Sequence, residues 1–292
     1  MGLFILVAAA LLPAIVLCVY VFKKDKAEKE PIGLLIGLLI SGVLICYPVV
    51  KVGGAMSDFT MNFFLNFATI ENGQAVLDSI TYRIYTAFDN FICVALVEEG
   101  FKWLALVLIT RNNKNFNSLF DGIIYAVFVS LGFAGFENIL YVFDGGLSTA
   151  LARAFTSVPG HMFNAVIMGY YYSFWHIFDK ARESESGFAK LGLIDVKNPF
   201  SGKKYMALSL IIPVLTHGFY DYCCTVGSSL AVIVFYAFLL FLYIYCFGKI
   251  KSISKIDGPD NKVVAGLLAK KYPNLFSNLL SQAIENANEM NV

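Results

Sequence analysis

Four short stretches place ionisable and amide side chains inside otherwise apolar segments. They are Glu98-Glu99-Gly100-Phe101-Lys102, Phe133-Ala134-Gly135-Phe136-Glu137-Asn138, His161-Met162-Phe163-Asn164 and His217-Gly218-Phe219-Tyr220-Asp221. Glu98 and Lys102 are spaced i,i+4, as are His217 and Asp221, so each pair shares one helix face. His161 and Asn164 are spaced i,i+3. A carboxylate held out of bulk water serves as a base toward a water molecule near neutral pH. Histidine and asparagine donors stabilise the oxyanion of a tetrahedral intermediate. Glu98, Glu99, Glu137, His161 and His217 therefore form a candidate catalytic set for water-mediated amide hydrolysis. Lys102, Asn138, Asn164 and Asp221 are its candidate supports. No serine or cysteine in these stretches is flanked by a candidate base, which argues against an acyl-enzyme. The zinc signature HExxH is absent, yet Glu137, His161, His217 and Asp221 offer ligands to a divalent cation from separate helices. The expected cofactor is thus either none or one divalent metal ion, zinc foremost.

The segments that carry these residues are built for a bilayer. The chain has 292 residues, 58% of them hydrophobic and 15% charged, where a soluble chain carries about 25% charged residues. Apolar runs of about 20 residues, enough to span a hydrocarbon core of about 30 Å, cover roughly 2–22, 32–50, 87–110, 120–143, 152–174, 205–225 and 229–247. The fold class expected is an all-α integral membrane bundle of about seven transmembrane helices. Gly33, Gly37 and Ser41 at four-residue spacing read as a close-packing stripe. The mixed segment 53–85 reads as an interfacial helix or a lid. Residues 1–250 read as the membrane domain, with its motifs within 91–224, and 251–292 as a cytoplasmic amphipathic tail set off by Gly258-Pro259. The six cysteines show no CxxC spacing and read as small packing residues.

Of the 22 lysines and arginines, 18 fall in segments 23–30, 111–119, 179–204 and 249–292. That asymmetry puts the N-terminus outside and the tail in the cytoplasm. Arg83 and Arg153 are the main exceptions. With a net charge of +1 and no basic stripe, a nucleic-acid partner is excluded. Counting from the outer end of each span at 1.5 Å per residue, Glu137 lies roughly 9 Å deep, His217 roughly 12 Å, His161 roughly 13 Å and Glu98 roughly 17 Å. Each buried charge costs at least ~2.5–3.5 kcal/mol on insertion scales. Single stretches have bland explanations: an ion pair for Glu98 and Lys102, helix-to-helix glue for Glu137-Asn138, a kink after Pro159-Gly160 for His161. His176 beside Trp175 reads as interfacial, while Asp121, Asp144 and Arg153 at span ends need no role. Four bland stretches at matching depth do not make one bland protein. A proton- or cation-coupled transporter and a non-catalytic scaffold are the rival classes.

In order and on successive helices, the four stretches resemble the PrsW family of bacterial intramembrane proteases, relatives of the type II CAAX prenyl endopeptidases. The resemblance covers about 91–224: Glu98, Glu99 and Lys102 match its double glutamate and lysine, and Phe133, Glu137 and Asn138 match its phenylalanine–glutamate motif. His161, and His217 with Asp221, match its histidine motifs. It implies a multi-pass protease of the bacterial cell membrane that makes the first cut in a single-span anti-sigma factor, releasing a stress-responsive sigma factor after further proteolysis. It also implies that Glu98 or Glu99 is the general base. Asp221 stands where the related endopeptidases tend to have asparagine, which suits a metal ligand or a histidine-orienting group.

Overall fold

The computed structural model describes residues 2–26, 28–71 and 73–281. Helix α1 (Gly2–Lys24) is followed by α2 (Ile32–Leu65), a small antiparallel hairpin of β1 (Thr69–Glu71) and β2 (Gln74–Val76), and α3 (Ser79–Phe88). A π-helical turn (Asp89–Leu96) joins α3 to α4 (Val97–Thr110). Then come α5 (Asp121–Phe155), α6 (Ser157–Lys190), α7 (Lys203–Val226), α8 (Ser229–Ile256) and α9 (Asp260–Lys271). Among the described residues, four helical stretches are long and apolar enough to cross a membrane: Gly2–Lys24, Ile32–Leu65, Asp121–Lys190 and Ser229–Ile256. Their outward faces carry Leu12, Ile15, Leu44, Ile233 and Ile244, apolar surface that lipid would cover.

The core is α5 against α6, flanked by α1 and α2. Every residue of α5 from Asp121 to Gly135 is buried. Close approach is set by single glycines. A β-carbon on Gly132 would lie 2.0 Å from the Leu39 carbonyl oxygen, and one on Gly42 would lie 2.0 Å from that of Val129. The Gly33, Gly37 stripe expected to pack is not the contact: nothing comes within 4 Å of a β-carbon at either position. The crossing uses Gly42, one residue beyond the stripe, and so a different face of α2.

Local chemistry explains most element ends. Asp78 caps α3 by accepting from the backbone of Ile80 and Thr81 at 2.9 and 3.2 Å, and the Ser228 hydroxyl accepts from Ala231 N at 3.2 Å to cap α8. The mixed segment 53–85 comprises the end of α2, the β1–β2 hairpin and most of α3. Its first part continues α2 to Leu65, because one exposed lysine at 51 neither breaks nor caps a helix. The tail docks instead of floating free. Val264, Leu268 and Leu275 are buried, and Glu185 of α6 accepts from Lys271 at 2.5 Å and from the Tyr272 hydroxyl at 2.6 Å. Residues 282–292 of the expected tail lie outside the described residues. His176 is a buried latch: its ring stacks on Phe116 at 3.8 Å, and its Nε2 donates to the Phe116 carbonyl at 2.9 Å.

The basic ends of the helices gather into one corner. Ser254 Oγ donates to the Lys24 carbonyl at 2.5 Å, and the Asp260 amide to that of Asn117 at 2.7 Å. Asp25, Glu30 and Asp121 are buried there, with the Tyr125 hydroxyl donating to Glu30 at 2.5 Å. Burial pushes the Asp25 carboxyl up to about 6 and that of Glu30 up to about 8. The folded state therefore holds protons that the unfolded chain has released, so stability declines as pH rises from the ordinary carboxylate range through about 8. The thermal midpoint of the detergent-solubilised protein is expected to fall between pH 5 and pH 8.5, with Glu30→Gln flattening that slope (about the pH range the two carboxyls span). An equally steep profile in Glu30→Gln would refute this origin.

Candidate active site

The site begins where α3 loosens into the π turn, a local widening often found beside function. Asn90 Nδ2 donates to the Thr86 carbonyl at 2.8 Å inside it. Ser57 Oγ donates to Asp89 at 2.6 Å, and Thr60 lies 3.3 Å from the Cys93 thiol, tying the turn to α2. On the opposite side α7 closes in at Gly218, where a β-carbon would stand 2.5 Å from the Phe91 ring. That approach delivers the neighbouring His217 to Glu99 in the first turn of α4.

Lys102 Nζ donates to Glu98 Oε2 at 3.0 Å, to Glu99 Oε1 at 2.9 Å and to His161 Nδ1 at 3.1 Å. An ammonium has three N–H bonds, and all three are used. His161 Nδ1 is thereby an acceptor, so Nε2 carries the proton and donates to Glu137 Oε2 at 3.1 Å. His217 differs. Its Nδ1 meets Glu99 Oε1 at 2.9 Å and its Nε2 meets Asp221 Oδ2 at 3.2 Å. Carboxylates only accept, so in this arrangement both nitrogens donate, and the ring would have to release one of those protons to ligate a metal. The Phe133 ring, 4.1 Å from Lys102 Nζ, adds a cation–π contact.

A chamber of about 360 Å³ opens on this network, lined by Glu98, Glu137, His161, Asn164, His217 and Asp221. Six of the nine residues singled out in the sequence thus share one cavity wall. Glu99 and Lys102, 0% and 1% exposed, sit behind it. Asn138 does not face the chamber: its Nδ2 donates to the Ala10 carbonyl of α1 at 2.8 Å. A second cleft of about 260 Å³, walled by Val49, Gly53, Gly54 and Cys93, reaches Glu98 and Glu137 from between α2 and the π turn. Tyr141, Tyr220 and Arg153 also line the main chamber and were not foreseen. Tyr141 had one signal, its i,i+4 spacing from Glu137.

A buried carboxylate–histidine centre with its own chamber, set among apolar helices, is the equipment of a membrane-embedded hydrolase. A family model described as PrsW family intramembrane metalloprotease matches residues 30–247. That range takes in the second apolar run and most of α8, beyond the 91–224 expected from the motifs. Proteins named Protease PrsW from Halalkalibacterium halodurans and Oceanobacillus iheyensis are each 30% identical. They match over 87% and 86% of this chain and 100% and 96% of their own. The Bacillus subtilis protein of that name is 28% identical over 86% of this chain and 95% of its own. No solved structure matches. The chain belongs to the PrsW family of intramembrane proteases and is a peptidase.

The family description implies a metal, and the donor set fits one. One ligand atom from each of Glu98, Glu99, His161 and His217 lies within 4.8 Å of the other three. Two imidazoles and two carboxylates suit zinc. Glu99 Oε2 is buried without a hydrogen-bond partner among the described residues, the kind of vacancy an ion satisfies. The group differs from the set expected from sequence. His161 and His217 belong to it, whereas Glu137 and Asp221 each face a histidine Nε2, the place of a carboxylate that orients a ligating histidine.

Proposed function

We propose that the protein is a multi-pass protease of the bacterial cell membrane with seven spans, N-terminus outside and tail in the cytoplasm. Its reaction is the first cut in a single-span anti-sigma factor, which activates a stress-responsive sigma factor after further proteolysis. The gathering of the basic helix ends in one corner supports the orientation. His161 lies 15 residues before the latch His176 on α6, about 22 Å along the helix axis, which supports a site in the outer half of the bilayer. The apolar cleft between α2 and the π turn suits a peptide arriving sideways from lipid.

The observation that carries the reading is the chamber on which Glu98, Glu137, His161, His217 and Asp221 converge. Glu98 is the general base, because it faces the chamber while Glu99 is sealed behind it. It takes a proton from water as that water attacks the scissile carbonyl. The Asn164 amide is the donor for the oxyanion, its Oδ1 being held by Thr216. Glu99 fixes His217 and Lys102, and Asp221 fixes the far side of His217. Glu99, His161 and His217 would hold a divalent ion, zinc being the best match, and it would supply carbonyl polarisation and a more acidic water.

The test is co-expression with a single-span anti-sigma factor tagged at both ends. The parent is expected to yield a truncated membrane fragment, and His217→Ala none, with equal amounts of inserted protease. Full cleavage by His217→Ala would sink the site assignment.

A further inference from the structure

We propose that Arg153 is a positioning residue for the hydrolysis, clamping Glu137 and Asn138 so that Glu137 holds His161 in its working orientation. The first pointer is an anomaly of charge. Arg153 is one of few basic residues away from the basic corner, and it sits next to a membrane-embedded site where an unpaired cation is costly. The structure shows why it is there. Helix α5 breaks at Gly146, whose φ of 71° and ψ of −162° turn the chain back on itself. Residues 147–155 then return an arginine to the helix it came from. Nη2 donates to Glu137 Oε2 at 2.5 Å, Nε donates to Asn138 Oδ1 at 2.8 Å, and the guanidinium carbon lies 3.9 Å over the Tyr141 ring.

The arrangement is more than a surface ion pair. The Arg153 and Glu137 side chains are only 15% and 19% exposed, and both line the chamber. Glu137 Oε2 receives Arg153 from one side and His161 Nε2 from the other. Asn138, held by its other end to α1, makes the clamp rigid. A forked guanidinium reaches both acceptors in one fixed plane while stacking on a ring; a lysine ammonium has no planar fork to fix that direction. Arg153 thus fixes the direction in which Glu137 points, and through it the ring of His161. This inference rests on the site assignment proposed above.

The experiment uses the full-length protein in lipid nanodiscs, cleaving a single-span reporter. Arg153→Ala is expected to lower kcat by about 10–100-fold, the usual cost of losing an outer-shell partner, with KM little changed. Added methylguanidinium restores part of the loss, and Arg153→Lys remains below the parent. Arg83→Ala, the other basic exception and exposed, is the unchanged control. An Arg153→Ala enzyme as active as the parent overturns the proposal. So does a raised KM at unchanged kcat, which would mean substrate binding, or a loss that tracks unfolding and ignores methylguanidinium. Glu98→Gln run in parallel separates the two levels. If it stays fully active, the site assignment fails; if it is dead while Arg153→Ala is not, only the clamp fails.

Discussion

Glu98→Gln is expected to cut the cleavage rate by about 10²–10⁴-fold, the worth of a positioned general base, and to leave the protein folded. The amide oxygen of glutamine still accepts from Lys102, which holds Glu98 Oε2 at 3.0 Å, so packing is kept while the proton acceptor is lost. Glu99→Gln should fail for a different reason. Glu99 is fully buried, and its Oε1 lies between Lys102 at 2.9 Å and His217 at 2.9 Å. Removing that charge leaves two buried cations short of one anion, and breaking such a pair costs about 3–5 kcal/mol. Cleavage and thermal midpoint measured side by side would separate the two carboxylates: Glu98→Gln inactive and stable, Glu99→Gln inactive and unstable. A stable Glu99→Gln protein, or an active Glu98→Gln one, would reverse the assignment of base and support.

That division could not be read from the sequence, where Glu98 and Glu99 are equivalent neighbours. The four stretches were legible because charge inside an apolar run is expensive and therefore selective. Their convergence followed from matching depth alone. What depends on the angle around a helix was not legible. Asn138 is one residue, and so about 100°, from Glu137, and it turns to α1 instead of the chamber. The glycine contact of α2 likewise lies one residue off the stripe that spacing suggested. Arg153 was hidden for another reason: it reaches Glu137 only because Gly146 reverses the chain, and sequence separation hides such a contact. The Gly145-Gly146 pair was the available signal. The π turn has no residue signature of its own, and one lone lysine was too weak a cue for the end of α2.

Lys102→Met is expected to destabilise the chelator-treated protein by about 3–5 kcal/mol, because Glu98 and Glu99 then face each other as buried charges without their shared cation. Methionine keeps most of the volume, so the loss reads as charge and not as cavity. In this structure the ammonium touches three of the four residues that would serve a divalent ion, through Glu98 Oε2, Glu99 Oε1 and His161 Nδ1. An ammonium and a divalent cation therefore answer the same local excess of negative charge. With Lys102 gone, a divalent ion becomes the remaining way to neutralise the pair. Zinc at 100 times its dissociation constant stabilises a folded protein by about 2.7 kcal/mol, and it should raise the midpoint of Lys102→Met more than that of the parent. Thermal denaturation with and without zinc measures both effects in the absence of any substrate. If Lys102→Met is as stable as the parent in chelator, Lys102 is not the counter-ion of the two glutamates. If it is unstable but deaf to zinc, the four donors do not form a cation site, and the carboxylate Glu98 must activate water unaided.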